Sequence, residues 1–498
     1  MKPSISYKLI LFALAWAMLF SCKEDKPGSN PDPEPDTTTV STDFDPGTIT
    51  DTYGAIASGP SSLWGPYNVH DPSILKDGDF YYCYSTDVAY GQAVVFGTTA
   101  GHQIRRSEDL LEWKYRGTAF GKYPPKAEGF IKANGGEPVE NLWAPYILKH
   151  NNEYRLYYSL ASSIGRLSAI GLGVANSPDG PFIERDTVVT SYGDNSQHTN
   201  AIDPTIVTTP DGDQWMAYGS SWDGIWMLEL DPDTGLPKNP GSNGQKIAHR
   251  GFTNNTINGN IEGAEIIYNQ QFDKYYMFIA YDWLATKYNV RVVRADHPEG
   301  PYYDFNGADA IDYQDNAPMI LAPYNFKGHS GWQGVSHPAV FSDGNNQYFI
   351  AHQGRPVVDP AFMVLHVRKI HWTEDGWPIV SPERYAEVEQ TEIAEEDIAG
   401  GWEQIILGYQ VVPGFGNEQL SPDLQSAFDL TINADGSLND DAGTWTWEAP
   451  WLIMTWNNGF TDKVHVEWAR DWENQVEKTL VFTGLNNDGT SIWGKKIN

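Results

Sequence analysis

His70-Asp71-Pro72-Ser73-Ile74, then Asp77-Gly78, then Phe80-Tyr81-Tyr82: a short motif, a turn signal and an aromatic run follow one another in a few residues. The order returns four times. Trp143-Ala144-Pro145-Tyr146-Ile147 leads to Tyr154-Arg155-Leu156-Tyr157-Tyr158, and Ile202-Asp203-Pro204-Thr205-Ile206 leads to Trp215-Met216-Ala217-Tyr218. Glu262-Gly263-Ala264-Glu265-Ile266 leads to Tyr275-Tyr276-Met277-Phe278, and Ser336-His337-Pro338-Ala339-Val340 leads to Tyr348-Phe349-Ile350. The second residue of each motif falls at 71, 144, 203, 263 and 337, so the spacings are 73, 59, 60 and 74. Asp-Gly pairs at 77–78, 211–212 and 343–344 mark hairpins between motif and aromatic run.

About sixty residues of short strands is the length of a four-stranded blade with its loops. No sustained amphipathic helix interrupts the region. The expected fold is therefore all-β: a five-bladed β-propeller, with the motif on the innermost strand of each blade and its side chains converging on the central axis. The same strands packed as a sandwich are the competing arrangement.

Outside the repeats the composition changes. Residues 1–22 read as a signal peptide, with Lys2 and Lys8 ahead of an apolar run from Leu9 to Phe20 that is short for a membrane span. Leu19-Phe20-Ser21-Cys22 has the form of a bacterial lipobox, with cleavage before Cys22 and lipid on its sulfur. Residues 23–54 carry Pro27, Pro31, Pro33, Pro35 and Pro46 among polar residues and read as a disordered tether. Residues 55–395 hold the repeats. Residues 396–498 lack the motif, are dense in tryptophan and carry a hairpin signal at Asp435-Gly436, which together read as a small C-terminal β domain. The other cysteine, Cys83, lies in an aromatic run and reads as a buried hydrophobe, so no disulfide framework is expected.

The chain has 498 residues, and 33 Lys and Arg stand against 65 Asp and Glu, a formal net charge of −32. Nucleic-acid binding needs a basic face to displace counterions, so nucleic acid is excluded as a partner. A neutral polysaccharide is not penalised.

Three repeats bring a carboxylate to the convergent position: Asp71, Asp203 and Glu262. Carboxylates directed at one small volume repel, and burial raises their pKa further. Glycoside hydrolysis needs that arrangement: one carboxyl group protonates the leaving oxygen while another activates water or attacks carbon. On His70-Asp71-Pro72-Ser73-Ile74, Trp143-Ala144-Pro145, Asp203-Pro204-Thr205 and Glu262-Gly263, the region from about 60 to 390 resembles glycoside hydrolase family 43, an inverting family on five-bladed propellers. The resemblance implies that Asp71 is the general base, Glu262 the general acid, and Asp203 the residue that raises the acid's pKa and orients it.

Further segments resemble the endo-acting α-1,5-L-arabinanases: Tyr218-Gly219-Ser220-Ser221-Trp222-Asp223-Gly224-Ile225, Tyr288-Asn289-Val290-Arg291-Val292 and Gly334-Val335-Ser336-His337. Arabinan or a related plant cell-wall polysaccharide is the substrate this implies. Ser220, Ser221 and Asn289 can hydrogen-bond sugar hydroxyls, and Trp143 and Trp222 can stack on furanose rings. Arg355 can pair with a catalytic carboxylate or brace the last repeat. The resemblance places His337 under the site near a calcium ion or water cluster, so calcium is the one cofactor to test, with His337 its only nameable ligand. Two residues depart from the family pattern: Ala264 stands where proline is usual, which leaves Glu265 as a reserve acid, and Pro338 stands where asparagine is usual beside His337. Two other readings stay open: an exo-acting α-L-arabinofuranosidase or β-xylosidase on the same scaffold, and a non-catalytic glycan-binding lipoprotein. In every case the lipid at Cys22 implies a bacterial envelope membrane, the outer membrane first, facing periplasm or exterior.

Overall fold

The motif repeats fold as antiparallel meanders, each motif entering the first strand of a sheet. The computed structural model describes residues 44–55, 60–90, 101–194, 199–250, 252–253, 256–257, 260–312, 315–408 and 420–497. The lipobox and most of the expected tether lie outside the described residues. The chain divides after Phe44, and the unit from Asp45 onward carries all the described strands.

The first sheet is β1 (Ser73–Asp77), β2 (Phe80–Ser85), β3 (Gln103–Ser107) and β4 (Lys114–Thr118), in that order. The second is β5 (Trp143–His150), β6 (Glu153–Leu160), β7 (Ser168–Ala175) and β8 (Ile183–Ser191). The third has five strands: β9 (Thr205–Thr208), β10 (Gln214–Tyr218), β11 (Ile225–Asp231), β12 (Leu236–Pro237) and β13 (Gln245–Ala248). A two-stranded ribbon, β14 (Phe252–Thr253) and β15 (Thr256–Ile257), precedes the fourth sheet of β16 (Ile261–Asn269), β17 (Lys274–Tyr281), β18 (Asn289–Ala295) and β19 (Met319–Leu321). Then come β20 (Tyr324–Asn325), β21 (Trp332–Gln333), β22 (Ala339–Ser342), β23 (Tyr348–Pro356), β24 (Val364–Trp372) and β25 (Pro378–Val380).

The molecule is all-β and propeller-like, but four blades, not five, stand as separate sheets. The fifth repeat, β22 to β25, is part of a seven-stranded sheet. The reason is the length of β23. Its last residues run past the meander and pair with β21, Trp332 opposite Pro356 and Gln333 opposite Arg355, and β21 carries β20 with it.

The aromatic second strands explain the packing. Successive residues of a strand face opposite sides, so each second strand feeds the seam on either side of its sheet. Tyr82 and Tyr84 pack with Ile147, Leu156 and Tyr158 of the second sheet, while Tyr81 and Cys83 pack with Phe341, Phe349 and Ala351 of the fifth repeat. Tyr157 and Met216, then Ala217 and Met277, then Phe278 and Ile350 fill the remaining seams. Each fully buried apolar side chain contributes on the order of 1.5–3 kcal/mol. Cys83 is buried as expected, and burial pushes its thiol up to about 12.

Two sequence expectations need correction. A helix, α1 (Pro125–Ala133), does occur, in the connection between β4 and β5; Ala127 and Ile131, four apart, are its buried contacts, too few to register as a sustained amphipathic pattern. The tether also ends before residue 54. Tyr53 is buried among Tyr90 and Phe362, and Asp51 pairs with Arg384 at 3.1 Å, so the chain is already docked there.

The tail forms a closed eight-stranded barrel. Its strands are β26 (Gly400–Ile406), then, after β27 (Gln425–Ser426), β28 (Phe428–Ile432), β29 (Ser437–Leu438), β30 (Gly443–Glu448), β31 (Trp451–Trp456), β32 (Thr461–Asp471), β33 (Val476–Asn486) and β34 (Ser491–Lys496), which pairs back to β26. Trp402, Leu430, Leu452, Met454, Val464 and Phe482 fill its interior. Of the tail's tryptophans, Trp402, Trp445, Trp472 and Trp493 are buried and Trp447, Trp451, Trp456 and Trp468 half-buried.

Candidate active site

The second motif residue of every repeat adopts a left-handed backbone: φ is 50° at Asp71, 24° at Ala144, 58° at Asp203, 55° at Gly263 and 55° at His337. Four of these five are not glycine, and strain of this kind collects at functional sites. A proline follows Asp71, Ala144, Asp203 and His337 and disfavours the right-handed helical alternative. The backbone N–H groups are held from neighbouring repeats. Asp71 N–H donates to Gln353 Oε1 at 3.0 Å, Ala144 N–H to Thr86 Oγ1 at 2.7 Å, and Asp203 N–H to Ser159 Oγ at 3.0 Å.

Glu262 sits one residue earlier than the register predicts. Gly263 occupies the left-handed position, and a bulge of one extra residue separates Glu262, opposite Ala280, from Glu265, opposite Phe278. Bulges re-aim side chains. Here the bulge gives the two acids different surroundings. Glu262 accepts from Ser220 Oγ at 2.6 Å and from the Tyr288 hydroxyl at 2.7 Å. Glu265 accepts from Thr205 Oγ1 at 3.2 Å and is buried, which pushes its carboxyl up to about 8.

Asp71 lies 2.7 Å from His70 Nδ1 and 3.1 Å from His337 Nδ1, and accepts from Thr86 Oγ1 at 2.6 Å. Burial alone would raise its pKa, but the two imidazoles outweigh burial and hold the carboxyl well below the usual range. Asp203 goes the other way. Burial first, then the charges of Glu262 and Asp71, push it well above the carboxylate range against the opposing effect of His337, while its Oδ2 accepts from Gly263 N–H at 3.2 Å. The site thus favours the anionic form of Asp71 and disfavours that of Asp203, beside Glu262.

His337 is part of this arrangement. Its Nδ1 lies 3.1 Å from Asp71, and Asp71, then Asp203 and Glu262, raise its pKa to about 9 against the lowering effect of burial. Calcium takes six to eight oxygens, so an ion held at His337 would draw most of its ligands from elsewhere than the ring. Among the described residues Glu383, Asp471 and Glu473 bring three carboxyl groups together outside this site, and Lys495 already sits among them.

The expected sugar contacts divide. Trp222 is 50% exposed, under the guanidinium of Arg166 at 5.3 Å, and is free to meet a ring. Trp143 is half-buried, its indole N–H donating to Asn141 Oδ1 at 3.0 Å. Ser220 serves Glu262, and Ser221 uses its backbone N–H on Ile261 O at 2.8 Å. Asn289 is not available to a sugar: fully buried, it donates to Tyr281 O, Asp282 Oδ2 and Lys287 O and accepts from Arg291 Nε. Arg355 is also fully buried and donates to Pro360 O at 2.8 Å, which braces the last repeat; among the described residues no ion pair joins it to Asp71. Sequence reasoning misses Thr86, Tyr288 and Gln353, which hold the acids, and Trp283, which is 40% exposed in the loop before Tyr288. A signal does exist: Thr86, Ser159, Ser220 and Gln353 all fall at or near the end of an aromatic second strand.

Three carboxyl groups in one site, with one favoured as the anion and a neighbour disfavoured as the anion, are what acid–base cleavage of a glycosidic bond requires, and the protein is a glycoside hydrolase. The chain belongs to glycosyl hydrolases family 43, whose model matches residues 65–378; residues 382–494 match a C-terminal lipocalin-like domain. Among its relatives is the extracellular endo-alpha-(1->5)-L-arabinanase of Thermotoga petrophila, 28% identical over 482 residues, 88% of this chain and 95% of the relative. Another is the extracellular endo-alpha-(1->5)-L-arabinanase 2 of Bacillus subtilis, 26% identical over 471 residues, 86% of this chain and 93% of the relative. The crystal structure of endo-1,5-alpha-L-arabinanase from Thermotoga petrophila matches with a TM-score of 0.73 at 25% identity, covering 88% of this chain and 100% of that one.

Proposed function

We propose that the protein cleaves internal α-1,5-L-arabinofuranosidic bonds of arabinan with inversion. The observation that carries the reading is the geometry of the three acids: Asp71 against His70, His337 and Thr86, Asp203 on the Gly263 N–H, and Glu262 between the hydroxyls of Ser220 and Tyr288. Asp71, kept anionic by His70 and His337, takes a proton from water as its oxygen attacks the anomeric carbon. Glu262 gives its proton to the leaving oxygen, held by the hydroxyls of Ser220 and Tyr288. Asp203 maintains the proton supply and the geometry of that acid. The endo reading is supported by the relatives that cover the barrel as well as the propeller-like part. Trp222, half-exposed, and with it the half-buried Trp143 serve substrate binding.

We read β22 to β25 as a fifth blade that closes the ring. Its motif shares the left-handed backbone of the other four, and its Gln353 holds the first motif. Residues 55–395 are then the catalytic part and 396–498 the barrel part. The lipobox at Cys22 supports an anchor on the bacterial outer membrane, with the enzyme facing periplasm or exterior.

The test is chromatography of early products from debranched linear arabinan, with calcium supplied. A ladder of short arabino-oligosaccharides is expected. Arabinose alone would make the enzyme exo-acting, and no product would turn the search to xylan and then to a binding role. Asp71→Asn should lose activity by about 10²–10⁴-fold and still bind arabinan.

A further inference from the structure

The loop that delivers Tyr288 to Glu262 is held from the C-terminal part of the chain. Its neighbour Lys287 has a side chain only 2% exposed, and the ammonium pairs with Asp423, whose own side chain is 65% exposed. An ammonium buried without a carboxylate is strongly unfavourable, so Asp423 fixes where Lys287 lies. Asp423 is itself anchored. It leads into β27, which runs parallel to β20 with Tyr324 opposite Gln425 and Asn325 opposite Ser426, and then continues into barrel strand β28. Other contacts of the loop come from the propeller-like part: Gly334 N–H donates to Thr286 O at 2.9 Å, Gln333 Nε2 to Ala285 O at 2.9 Å and Asn289 Nδ2 to Lys287 O at 3.0 Å.

We propose that Asp423 is a positioning residue of the active site: through Lys287 it holds the 283–288 loop so that the Tyr288 hydroxyl stays on Glu262. The lead-in to the barrel thereby completes the geometry of the proton donor. The inference rests on the reading of Glu262 as the general acid.

The test uses the full chain on linear arabinan, with kcat, KM and the thermal midpoint read for each variant. Asp423→Ala is expected to lower kcat about tenfold to a hundredfold, the scale of a small misplacement at a reacting group. KM should stay within about twofold; the midpoint should fall, because the buried Lys287 ammonium loses its carboxylate, so kcat is read well below the midpoint of each variant. Asp423→Glu should restore most of kcat. Tyr288→Phe should lower kcat as well, and the double variant should be no worse than the lower single, because both act on one bond. Wild-type kcat in Asp423→Ala, or fully additive losses in the double variant, would overturn the proposal. Glu262→Gln separates the two readings: if it kept wild-type turnover, the acid assignment would fail, whatever Asp423 does.

Discussion

Two acids three residues apart meet different fates. Glu262 is wrapped in hydroxyls, while Glu265 is buried against Thr205 with its carboxyl pushed from 4.5 to about 8, burial being the first cause. Folding raises this pKa, so the folded state keeps a proton that the unfolded chain releases. The stabilisation is whole below about 4.5 and is lost as pH climbs through about 8, at about 1.4 kcal/mol per pH unit in between. Glu265→Gln removes a group that must be kept neutral. Its thermal midpoint should fall less steeply than wild type from pH 5 to 8 and lie above wild type at pH 8, with arabinan hydrolysis retained. A stable Glu265→Gln protein without turnover would make Glu265 the acid instead. The sequence could not separate these two by chemistry, since both are glutamates in one motif; the bulge at Gly263 decides. Asp71 and Asp203 were legible because their motif repeats. Their partners were harder to read, because Thr86, Tyr288 and Gln353 arrive from other strands and loops, distant in the chain.

The recurring element is a motif that enters its strand through one left-handed residue. In the fourth repeat that residue is Gly263 at φ 55°, and a Cβ there would lie 2.9 Å from His337 Nδ1. Other repeats place Asp, Ala or His at the equivalent position, so the backbone alone does not demand glycine; the His337 ring beneath it does. Gly263→Ala should therefore displace His337 from Asp71 and destabilise by about 1–3 kcal/mol. Chemical denaturation read together with kcat would show both losses. A Gly263→Ala protein with wild-type stability and turnover would mean that the ring moves aside freely. Period and turn chemistry made the separate meanders readable at this scale. They could not show β20, β21 and β27, two-residue strands whose pairing is set by where β23 overruns its blade and not by any local pattern.

Between the last meander and the barrel lies a buried ionic node. Lys495 of β34 meets Glu383 at 2.9 Å, Asp471 at 2.8 Å and Glu473 at 3.0 Å, and its ammonium stands 4.2 Å from the Phe326 ring centroid. Glu383 follows β25, whereas the other partners belong to the tail, so one cation ties both parts of the chain. In a molecule with a net charge of −32, three carboxyl groups can be buried together only if a cation neutralises them and a proton is kept. Glu383 is where the proton is kept: burial, then the charge of Glu473, push its carboxyl well above the usual range. Glu473 goes down, to about 2, because Lys495, the hydrogen bond with Glu383 and Arg384 together outweigh its burial. The two kinds of substitution should therefore differ sharply. Lys495→Met leaves the acids without their cation and should destabilise by about 3–5 kcal/mol, lowering the guanidinium midpoint of the whole chain. Glu383→Gln replaces a neutral carboxyl group by a neutral amide of the same shape and should change stability by less than about 1 kcal/mol. The reverse ranking would mean that Glu383 is ionised and that the node is held by charge alone; the expected ranking makes it a lysine salt bridge with a built-in proton, the arrangement that lets an acidic chain join its two parts through a buried contact.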